Sequence, residues 1–481
     1  MNIAMLLEMA ADGLGDRVAF GSRGDGVTYD HLRRVAASVP TRVASDGAQT
    51  VALLDETSAL VPAALFGAAW SGAAYAPLNF RLPEAAQQEL LGRLQPAVVA
   101  SRDWLEQPAA APGGFPDDPE RPAVVLFTSG TSAEPKAAVL GHDQLLAYIL
   151  NTVEFASADE DEAVLLAVPP FHIAGVAAVL SSTYAGRRVV GLSRFSAEAW
   201  LEAARQELIT HAFVVPTMLA RIVAVLEAEP DARPRALRHL AYGGARTPQP
   251  VLERALRLLP DTEFVNAYGL TETSSTVCVL GPDDHRAALD HDEPEVRARL
   301  ASVGRPVPGI EIKVVDEAGA DLASGSTGQI LVRGAQVSGD YVGQGSRRDN
   351  EGWLETGDRG RVDLDGYVYV DGRGDDTIIR GGENIAPAEI EDTLLHHPAV
   401  ATVAAVGLPD EEWGERIAVM LTLRPGVDAT PEELSAWAHD KLGSLKAPQV
   451  IAVRDELPHT ATGKVLRRQI RAELADGDTT L

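Results

Sequence analysis

Hydroxyl side chains and one lysine are concentrated in a loop at residues 128–136. The loop follows an apolar run, residues 123–127, that is typical of a buried strand. Backbone N–H groups, hydroxyls and a cation at the end of a strand can hold a polyphosphate. The pattern differs from the nucleotide loop G-x-x-x-x-G-K-S/T, because Lys136 follows Pro135 and precedes Ala137. The loop therefore predicts an anion site, and a plain solvated turn is the alternative.

A second cluster of functional side chains, residues 266–273, follows another predicted strand. Tyr268 offers an aromatic plane to a base, and Thr271 offers a hydroxyl to a phosphate. Glu272 supplies the hard oxygen ligand that Mg²⁺ prefers. The alternative is a helix N-cap formed by Thr271 or Thr273 after the strand.

Two further segments each place one charged side chain beside a glycine. Asp358 ends a Thr-Gly-Asp turn, where its carboxylate can accept hydrogen bonds from a ribose diol or form an Asx-turn. Lys464 follows the flexible Gly463 at the start of the last predicted helix, and a solvent-facing helix lysine is the alternative. The functional interpretation depends on the conjunction of these segments and not on any one of them.

The composition is that of a folded, acidic protein of 481 residues, 46% hydrophobic, with a net charge of -27. This length predicts two or three domains. The acidic balance argues against a surface that neutralises nucleic-acid phosphates. A single cysteine, Cys278, excludes an intrachain disulfide and a thiolate metal cluster, and predicts a reducing compartment, the cytoplasm. No stretch reaches the roughly 18–20 uncharged residues of a membrane span.

The order of apolar runs predicts an α/β protein with a second, smaller domain. From about residue 50 to 280, strand-like runs such as 164–168 and 212–215 alternate with helical ones such as 196–208, which indicates an α/β layered sheet. Between about 300 and 372 the runs are short, β-rich and broken by glycine. The polar segment 371–376 separates residues 1–374, with their α/β sheet and β-rich subdomain, from a small α+β domain at 375–481.

In their order along the chain, these segments resemble those of the adenylate-forming superfamily. That superfamily comprises acyl/aryl-CoA synthetases, peptide-synthetase adenylation domains and luciferases, and the acyl/aryl-CoA ligase branch is the most similar. The resemblance runs from about residue 25 to 472. Besides the segments above, it includes residues 72–79, 169–172, 215–218, 242–245, 304–306 and 372–391.

The resemblance implies a two-step reaction and a set of catalytic residues. Enzymes of this superfamily convert a carboxylic acid and MgATP into an acyl adenylate, and then transfer the acyl group to a thiol. A carboxylate that attacks the α-phosphate needs charge neutralisation and in-line positioning more than acid–base help. The matching positions are Lys464, which bridges carboxylate and α-phosphate, Glu272 at the magnesium site, Thr271, and His172 beside the acyl group.

The resemblance also implies binding positions for ATP (or acyl-AMP), the acid and coenzyme A. The nucleotide positions are Thr128, Ser129, Gly130, Thr131, Lys136, Gly243, Gly244, Ala245, Asn266, Ala267, Tyr268, Gly269, Asp358 and Arg373. The acyl-pocket positions are His172, Ile173, Ala174, Gly175, Thr217, Gly243, Ala267 and Thr273. The CoA positions are Arg81, Gly381, Gly382, Glu383, Trp413 and Lys446, and the hinge about which the small domain rotates is Asp375.

The phosphate loop departs from the family pattern Thr-Ser-Gly-Thr-Thr-Gly-x-Pro-Lys-Gly. Ser132 replaces a threonine, and Ala133 and Ala137 replace glycines. If those glycines adopt φ > 0 or approach a phosphate closely, each added Cβ costs ~1–2 kcal/mol and restricts the motion of the loop. One hypothesis is therefore an enzyme that only thioesterifies a ready-made acyl adenylate. Retention of Lys464 and Asp358 favours ordinary two-step catalysis.

The sequence gives indirect indications of the acceptor and the acid, and it leaves the oligomeric state open. Arg81 and Trp413 favour CoA over a carrier protein, and an adenylation enzyme that loads a separate carrier is the alternative. Small residues at 174, 175, 243, 244 and 267 predict room for a bulky hydrophobic or polycyclic acid. A nucleotide-binding protein without turnover is the non-enzymatic alternative, and a homodimer stays open.

Overall fold

The computed structural model describes residues 1–106, 114–118, 121–128, 135–291, 293–381, 383–410, 413–460 and 463–476. Within them, the α-helices are α1 (Ala4–Leu14), α2 (Tyr29–Ser45), α3 (Leu60–Ser71), α4 (Glu84–Gly92), α5 (Asp103–Glu106), α6 (His142–Thr152), α7 (Ile173–Ala185), α8 (Ala197–Gln206), α9 (Pro216–Ala228), α10 (Gln249–Leu258), α11 (Pro282–Asp290), α12 (Pro294–Ala298), α13 (Pro387–Leu395), α14 (Pro431–Lys446) and α15 (Arg467–Asp476).

The strands are β1 (Val18–Phe20), β2 (Val27–Thr28), β3 (Thr50–Leu53), β4 (Ala74–Pro77), β5 (Ala97–Val99), β6 (Pro122–Thr128), β7 (Lys136–Gly141), β8 (Ala163–Leu166), β9 (Arg188–Gly191), β10 (His211–Val214), β11 (His239–Gly243), β12 (Glu263–Leu270), β13 (Ser275–Leu280), β14 (Arg305–Pro306), β15 (Ile310–Val315), β16 (Gly328–Gly334), β17 (Asp340–Tyr341), β18 (Gly345–Ser346), β19 (Leu354–Val362), β20 (Val368–Arg373), β21 (Ile378–Arg380), β22 (Glu383–Ile385), β23 (Val400–Asp410), β24 (Gly414–Leu423) and β25 (Val450–Val453).

Two large sheets, each with a parallel centre, form the first part of the chain. One has the order β14-β13-β12-β11-β10-β8-β9-β1-β2, and the other has the order β18-β17-β7-β6-β4-β3-β5. The apolar helix α3 is buried in a core between elements of both sheets, which satisfies its uniformly hydrophobic surface. Among the described helices, none has the length and apolar character needed to cross a membrane.

Two smaller sheets complete the fold. The antiparallel sheet β15-β16-β19-β20 forms the predicted β-rich subdomain. The last sheet, β22-β21-β24-β23 with β25 on β24, packs with α13, α14 and α15 as an α+β unit. The predicted fold class, a large α/β part with a β-rich subdomain and a small α+β part, is therefore confirmed.

One boundary differs from the sequence expectation in a way that matters for the site. The strand expected at 263–265 continues to Leu270, so residues 266–270 lie within β12 and not after it. The cause is β13, which turns back and pairs antiparallel with this stretch, from Asn266 opposite Leu280 to Leu270 opposite Ser275. The residues of β12 do not indicate which strand pairs with them, so the local sequence pattern could not predict that β12 extends to Leu270.

Candidate active site

The carboxyl ends of four neighbouring strands bring together residues that are far apart in sequence. Strands β8, β10, β11 and β12 lie side by side and are parallel. Their ends lead to His172, Thr217, Gly243 and Tyr268 respectively. Ligands of α/β sheets bind at this edge, so the predicted acyl and nucleotide residues share one location by topology.

Glu272 sits on a short 3-10 turn, Thr271–Thr273, that follows β12. The backbone oxygen of Glu272 accepts hydrogen bonds from the N–H groups of Ser338 (2.8 Å) and Gly339 (3.3 Å). Its side-chain Oε1 accepts a hydrogen bond from the hydroxyl of Tyr341. Both its main chain and its carboxylate are thus held by the segment that precedes and forms β17.

Thr273, which we assigned to the acyl pocket, is fully buried with its hydroxyl committed to the main chain. That hydroxyl receives the Leu270 N–H at 2.9 Å and contacts the carbonyl of Ser275 at 2.8 Å. The sequence left open an N-cap at Thr271 or Thr273, but Leu270 holds the N-cap position, and Thr273 is the third residue of the turn, where its side chain bonds back to the main chain of Leu270. The local turn, rather than a ligand, accounts for the threonine at 273.

Asp358, Tyr268 and Arg373 form a hydrogen-bonded cluster. The Tyr268 hydroxyl donates to Asp358 Oδ2 at 2.6 Å, and Arg373 Nε lies 3.2 Å from Oδ1. Asp358 and Arg373 are cross-strand partners on β19 and β20, and Arg373 also donates to the carbonyl of Thr356 at 2.7 Å. Burial raises the pKa of the Asp358 carboxyl, while Arg373 and Tyr268 oppose the shift. Each carboxylate oxygen keeps a further lone pair for a ligand hydroxyl.

Lys464 reaches this cluster from the opposite end of the chain. Burial by surrounding protein and the Arg373 guanidinium lower the pKa of its ammonium group, whereas Asp376 and Asp358 raise it. Solvent still reaches the residue. The structure therefore places Lys464 in the same electrostatic environment as the expected ribose site, although no sequence pattern links position 464 to position 358.

Two contacts join the C-terminal unit, the α+β unit formed by β21–β25 and α13–α15, to the rest of the chain in this orientation. Gly463 packs against Thr217 at the start of α9, so tightly that a Cβ at 463 would overlap the threonine hydroxyl. Arg246, which follows the predicted nucleotide residues 243–245, pairs with Asp392 on α13 at 2.5 Å. The orientation shown is thus the one that brings Lys464 to the expected nucleotide.

His172 lies at the N-terminus of α7 with its ring against Phe171, at a centroid distance of 4.7 Å, and Phe171 in turn contacts Phe80 at 5.9 Å. Its Nε2 is buried and has no hydrogen-bond partner among the described residues. Burial, aided by Arg81, lowers the pKa of His172 to about 4, so the imidazole is neutral at pH 7. A neutral, unpaired ring nitrogen in an aromatic wall suits contact with an acyl group.

Close backbone contacts, which the sequence interpretation did not include, explain why two positions of the expected acyl pocket are glycine. A Cβ at Gly243 would overlap the carbonyl oxygen of Ala267 on the adjacent strand. A Cβ at Gly175 would lie 2.9 Å from the carbonyl oxygen of Pro169. Close backbone approach thus accounts for both, and they no longer support a large pocket. Gly244 has φ +81° and is exposed, which fits a turn beside a ligand.

Several other residues expected at the site make contacts that neither support nor exclude a role in ligand binding. Ile173 and Ala174 are half-buried on the first turn of α7. Asn266 donates through Nδ2 to the carbonyl of Ser302 at 3.3 Å, and Gly269 accommodates the backbone of Ser275. Their nucleotide or acyl roles stay predictions.

The phosphate loop is flanked by the antiparallel strands β6 and β7, whose ends Thr128 and Lys136 are register partners. Ser129, Gly130 and Thr131, like Ser132 and Ala133, lie outside the described residues. Ala137 is extended within β7, and its side chain packs in an apolar cluster. It is not among the residues with positive φ, so the strain expected at 137 does not occur.

The expected CoA residues fall into two groups that this orientation keeps apart. Arg81 lines a cleft of about 970 Å³ together with Arg454, residues 456–460 and Gly463 of the C-terminal unit. Trp413 is 42% exposed and packs on Gly381 and Arg380, whereas Lys446 binds both oxygens of Glu389 at 2.8 Å. Neither they nor the exposed Glu383 line that cleft. Gly382 and the side chain of Asp375 lie outside the described residues.

Two features of the site were missed at the level of sequence. Tyr341 belongs to a two-residue strand with no recognisable motif, and only its pairing with β7 brings it to Glu272. Arg194 and Arg221 join Arg81 in the cleft although they follow different strands. Arg194 lies in the loop after β9 and Arg221 lies on α9, and no local sequence pattern links the two positions.

Comparisons with known proteins agree with this geometry. The family model described as AMP-binding enzyme matches residues 7–342, and that described as AMP-binding enzyme C-terminal domain matches residues 389–464. A fatty acid–acyl-carrier-protein ligase of Streptomyces coeruleorubidus is 31% identical, over 93% of this chain and 92% of that protein. Feruloyl-CoA synthase of Amycolatopsis is 31% identical, over 93% and 94%. The structure of o-succinylbenzoate CoA synthetase of Bacillus subtilis with its acyl-adenylate intermediate superposes with a TM-score of 0.83 at 27% identity, covering 99% of both chains.

Proposed function

This chain belongs to the AMP-binding enzymes, and from that premise we propose that it converts a carboxylic acid, ATP and coenzyme A into an acyl-CoA, AMP and pyrophosphate through an acyl adenylate. The observation that carries the proposal is the convergence of charged groups from separate parts of the chain. The charges of Asp358 and Arg373 act on Lys464, and the charge of Arg373 also acts on Tyr341, which is bonded to Glu272. Two of the similar proteins are named 2-succinylbenzoate–CoA ligase and feruloyl-CoA synthase, which supports an acid–thiol ligase.

In the first step, this chain's residues neutralise and position charge. Asp358 accepts the ribose hydroxyls, and Lys464 lies between the incoming carboxylate and the α-phosphate, where negative charge concentrates. Glu272 supplies one carboxylate for Mg²⁺, which in nucleotide sites binds one or two carboxylates and the substrate phosphates. When bound, Mg²⁺ offsets the charge of the leaving pyrophosphate. In the second step the thiol attacks the acyl carbonyl, and AMP leaves.

For the acid, we propose a bulky hydrophobic or aromatic acyl group. The support is the wall of Phe171, Phe80 and His172, whose neutral ring nitrogen is free to bond a polar atom of the acid. The glycines at 175 and 243 do not contribute to this argument. A panel of acetate, straight-chain fatty acids and aryl acids, assayed for thioester formation, tests it, and the highest kcat/KM for acetate would contradict it.

The test of the reaction supplies candidate acids with MgATP and CoA, and in parallel the synthetic acyl adenylates with CoA. We expect acyl-CoA in both assays and ATP–pyrophosphate exchange that depends on the acid. Since Ala137 lies in an extended strand and has no positive φ, backbone strain at that position does not support a non-adenylating enzyme. Thioester from the adenylate but never from acid plus ATP would show a non-adenylating enzyme, and adenylate transfer only to a carrier protein would show a carrier-loading one.

For the acceptor, we propose CoA because of the cleft shared by Arg81, Arg194, Arg221 and Arg454. Three glutamates also line it, so four arginines leave a local excess of positive charge in a chain of net charge -27. Arg194 and Arg221 have no ion-pair partner among the described residues. Unpaired guanidinium groups beside an acyl site suit the phosphates of CoA.

We expect Arg221→Ala to raise KM for CoA about tenfold, since a charge-assisted hydrogen bond contributes about 1.5–3 kcal/mol. The KM for pantetheine, which lacks the nucleotide phosphates, should not change. Arg205→Ala is the matched control, because Arg205 is exposed on α8 and lies outside the cleft. Equal changes in KM for CoA and pantetheine would contradict phosphate recognition by Arg221.

A further inference from the structure

Tyr341 is bonded to the side chain that the proposed function places at the metal. Its hydroxyl donates to Oε1 of Glu272, and the residue is 6% exposed. The Glu272 main chain is held by the two residues Ser338 and Gly339 just before β17. The same short segment therefore fixes both the backbone and the carboxylate of residue 272.

This segment is also joined to the strand that leaves the phosphate loop. Tyr341 is the register partner of Ala138 on β7, and the N–H of Val342 donates to the carbonyl of Ala137 at 2.9 Å. The hydroxyl of Ser338 donates to the carbonyl of Val139 at 2.5 Å. Since β7 begins at Lys136, β17 connects the lysine of the phosphate loop to Glu272 through a few backbone hydrogen bonds.

We propose that Tyr341 is a positioning residue that holds Oε1 of Glu272 so that the other carboxylate oxygen faces the metal of MgATP. The inference rests on the proposed function for the identity of the metal complex. Hydrogen-bond partners of metal-ligating carboxylates orient the ligand and tune its affinity.

The test is Tyr341→Phe, which removes the hydroxyl and keeps the ring over which the Arg347 guanidinium lies at 4.6 Å. Mn²⁺ serves as the metal probe, and its binding to the enzyme with ATP but without acid is followed by electron paramagnetic resonance. We expect about a tenfold weaker Mn²⁺ affinity, the lower end of the effect of such partners. Binding of metal-free ATP should not change.

Tyr367→Phe is the matched control, because Tyr367 donates to Asp284 at 2.6 Å in a comparable tyrosine–carboxylate pair outside this site. Excess Mg²⁺ should restore adenylation in Tyr341→Phe. The variant should need a higher Mg²⁺ concentration than the wild type for half-maximal adenylation, while its kcat at saturating Mg²⁺ stays nearly unchanged. Wild-type Mn²⁺ affinity in Tyr341→Phe, or the same loss in both variants, would overturn the inference. Because metal binding is read without acid or thiol, failure of the proposed thioester reaction would be seen separately, in the acyl-CoA assay.

Discussion

Lys464→Ala is expected to lower acyl-adenylate formation at least about a hundredfold, the typical cost of removing one positioned group that stabilises transition-state charge. Transfer from a supplied acyl adenylate to CoA should stay near the wild-type rate. The reason is that only the first step brings two anions, the carboxylate and the α-phosphate, together. The charges of Asp358 and Arg373 act on the Lys464 ammonium, so we expect this group to reach the nucleotide in the orientation seen here.

The measurement compares ATP–pyrophosphate exchange with single-turnover acyl transfer from the synthetic adenylate. Lys441→Ala is the control for loss of one lysine in the C-terminal unit, because Lys441 is exposed and its ion pair with Asp440 and its contact with the Trp437 ring both lie outside the site. A parallel loss of both steps in Lys464→Ala, with Lys441→Ala unaffected, would refute the assignment of Lys464 to the first step. Restoration of exchange by Lys464→Arg would identify charge, rather than the shape of the side chain, as the requirement.

The parts of the site that the sequence predicted are those set by strand order and by short motifs. The predicted site residues at 172, 217, 243 and 268 each follow an apolar run, and parallel strands place their carboxyl ends at one edge. Asp358 could be assigned from its turn and the family resemblance. Its partner Arg373 follows from register, since β19 and β20 pair these two positions.

The residues that could not be predicted depend on contacts between distant segments. Tyr341 has no local signal, because its role arises from strand pairing and a hydrogen bond to a residue 69 positions away. The glycines at 175 and 243 suggested room for a ligand, whereas neighbouring backbone explains them. For Ala137, the replacement of a family glycine suggested backbone strain, and the extended strand shows none. In each case the deciding quantity is a distance or a backbone angle in the folded chain, which composition and spacing do not contain.

Gly463→Ala is expected to lower adenylation about a hundredfold, the loss that a displacement near 1 Å causes when reacting groups must be aligned. Gly463 has φ +80°, and a Cβ there would overlap the hydroxyl of Thr217. The new methyl group must push the loop of Lys464 away from α9, and so move the ammonium from the α-phosphate. Transfer from a supplied adenylate should change little, because that step does not require Lys464.

Gly443→Ala separates the contact with Thr217 from backbone strain. Gly443 lies in the same C-terminal unit with φ +73°, and no atom lies within 4 Å of the position that its Cβ would take. Both substitutions therefore place an alanine in the left-handed region, at ~1–2 kcal/mol each. They should lower the unfolding temperature of this unit to a similar extent, while only Gly463→Ala loses adenylation. Thr217→Ala removes the overlapping hydroxyl, so adding it to Gly463→Ala should restore part of the lost adenylation activity. Equal adenylation in Gly463→Ala and Gly443→Ala would show that the Gly463–Thr217 contact does not position Lys464.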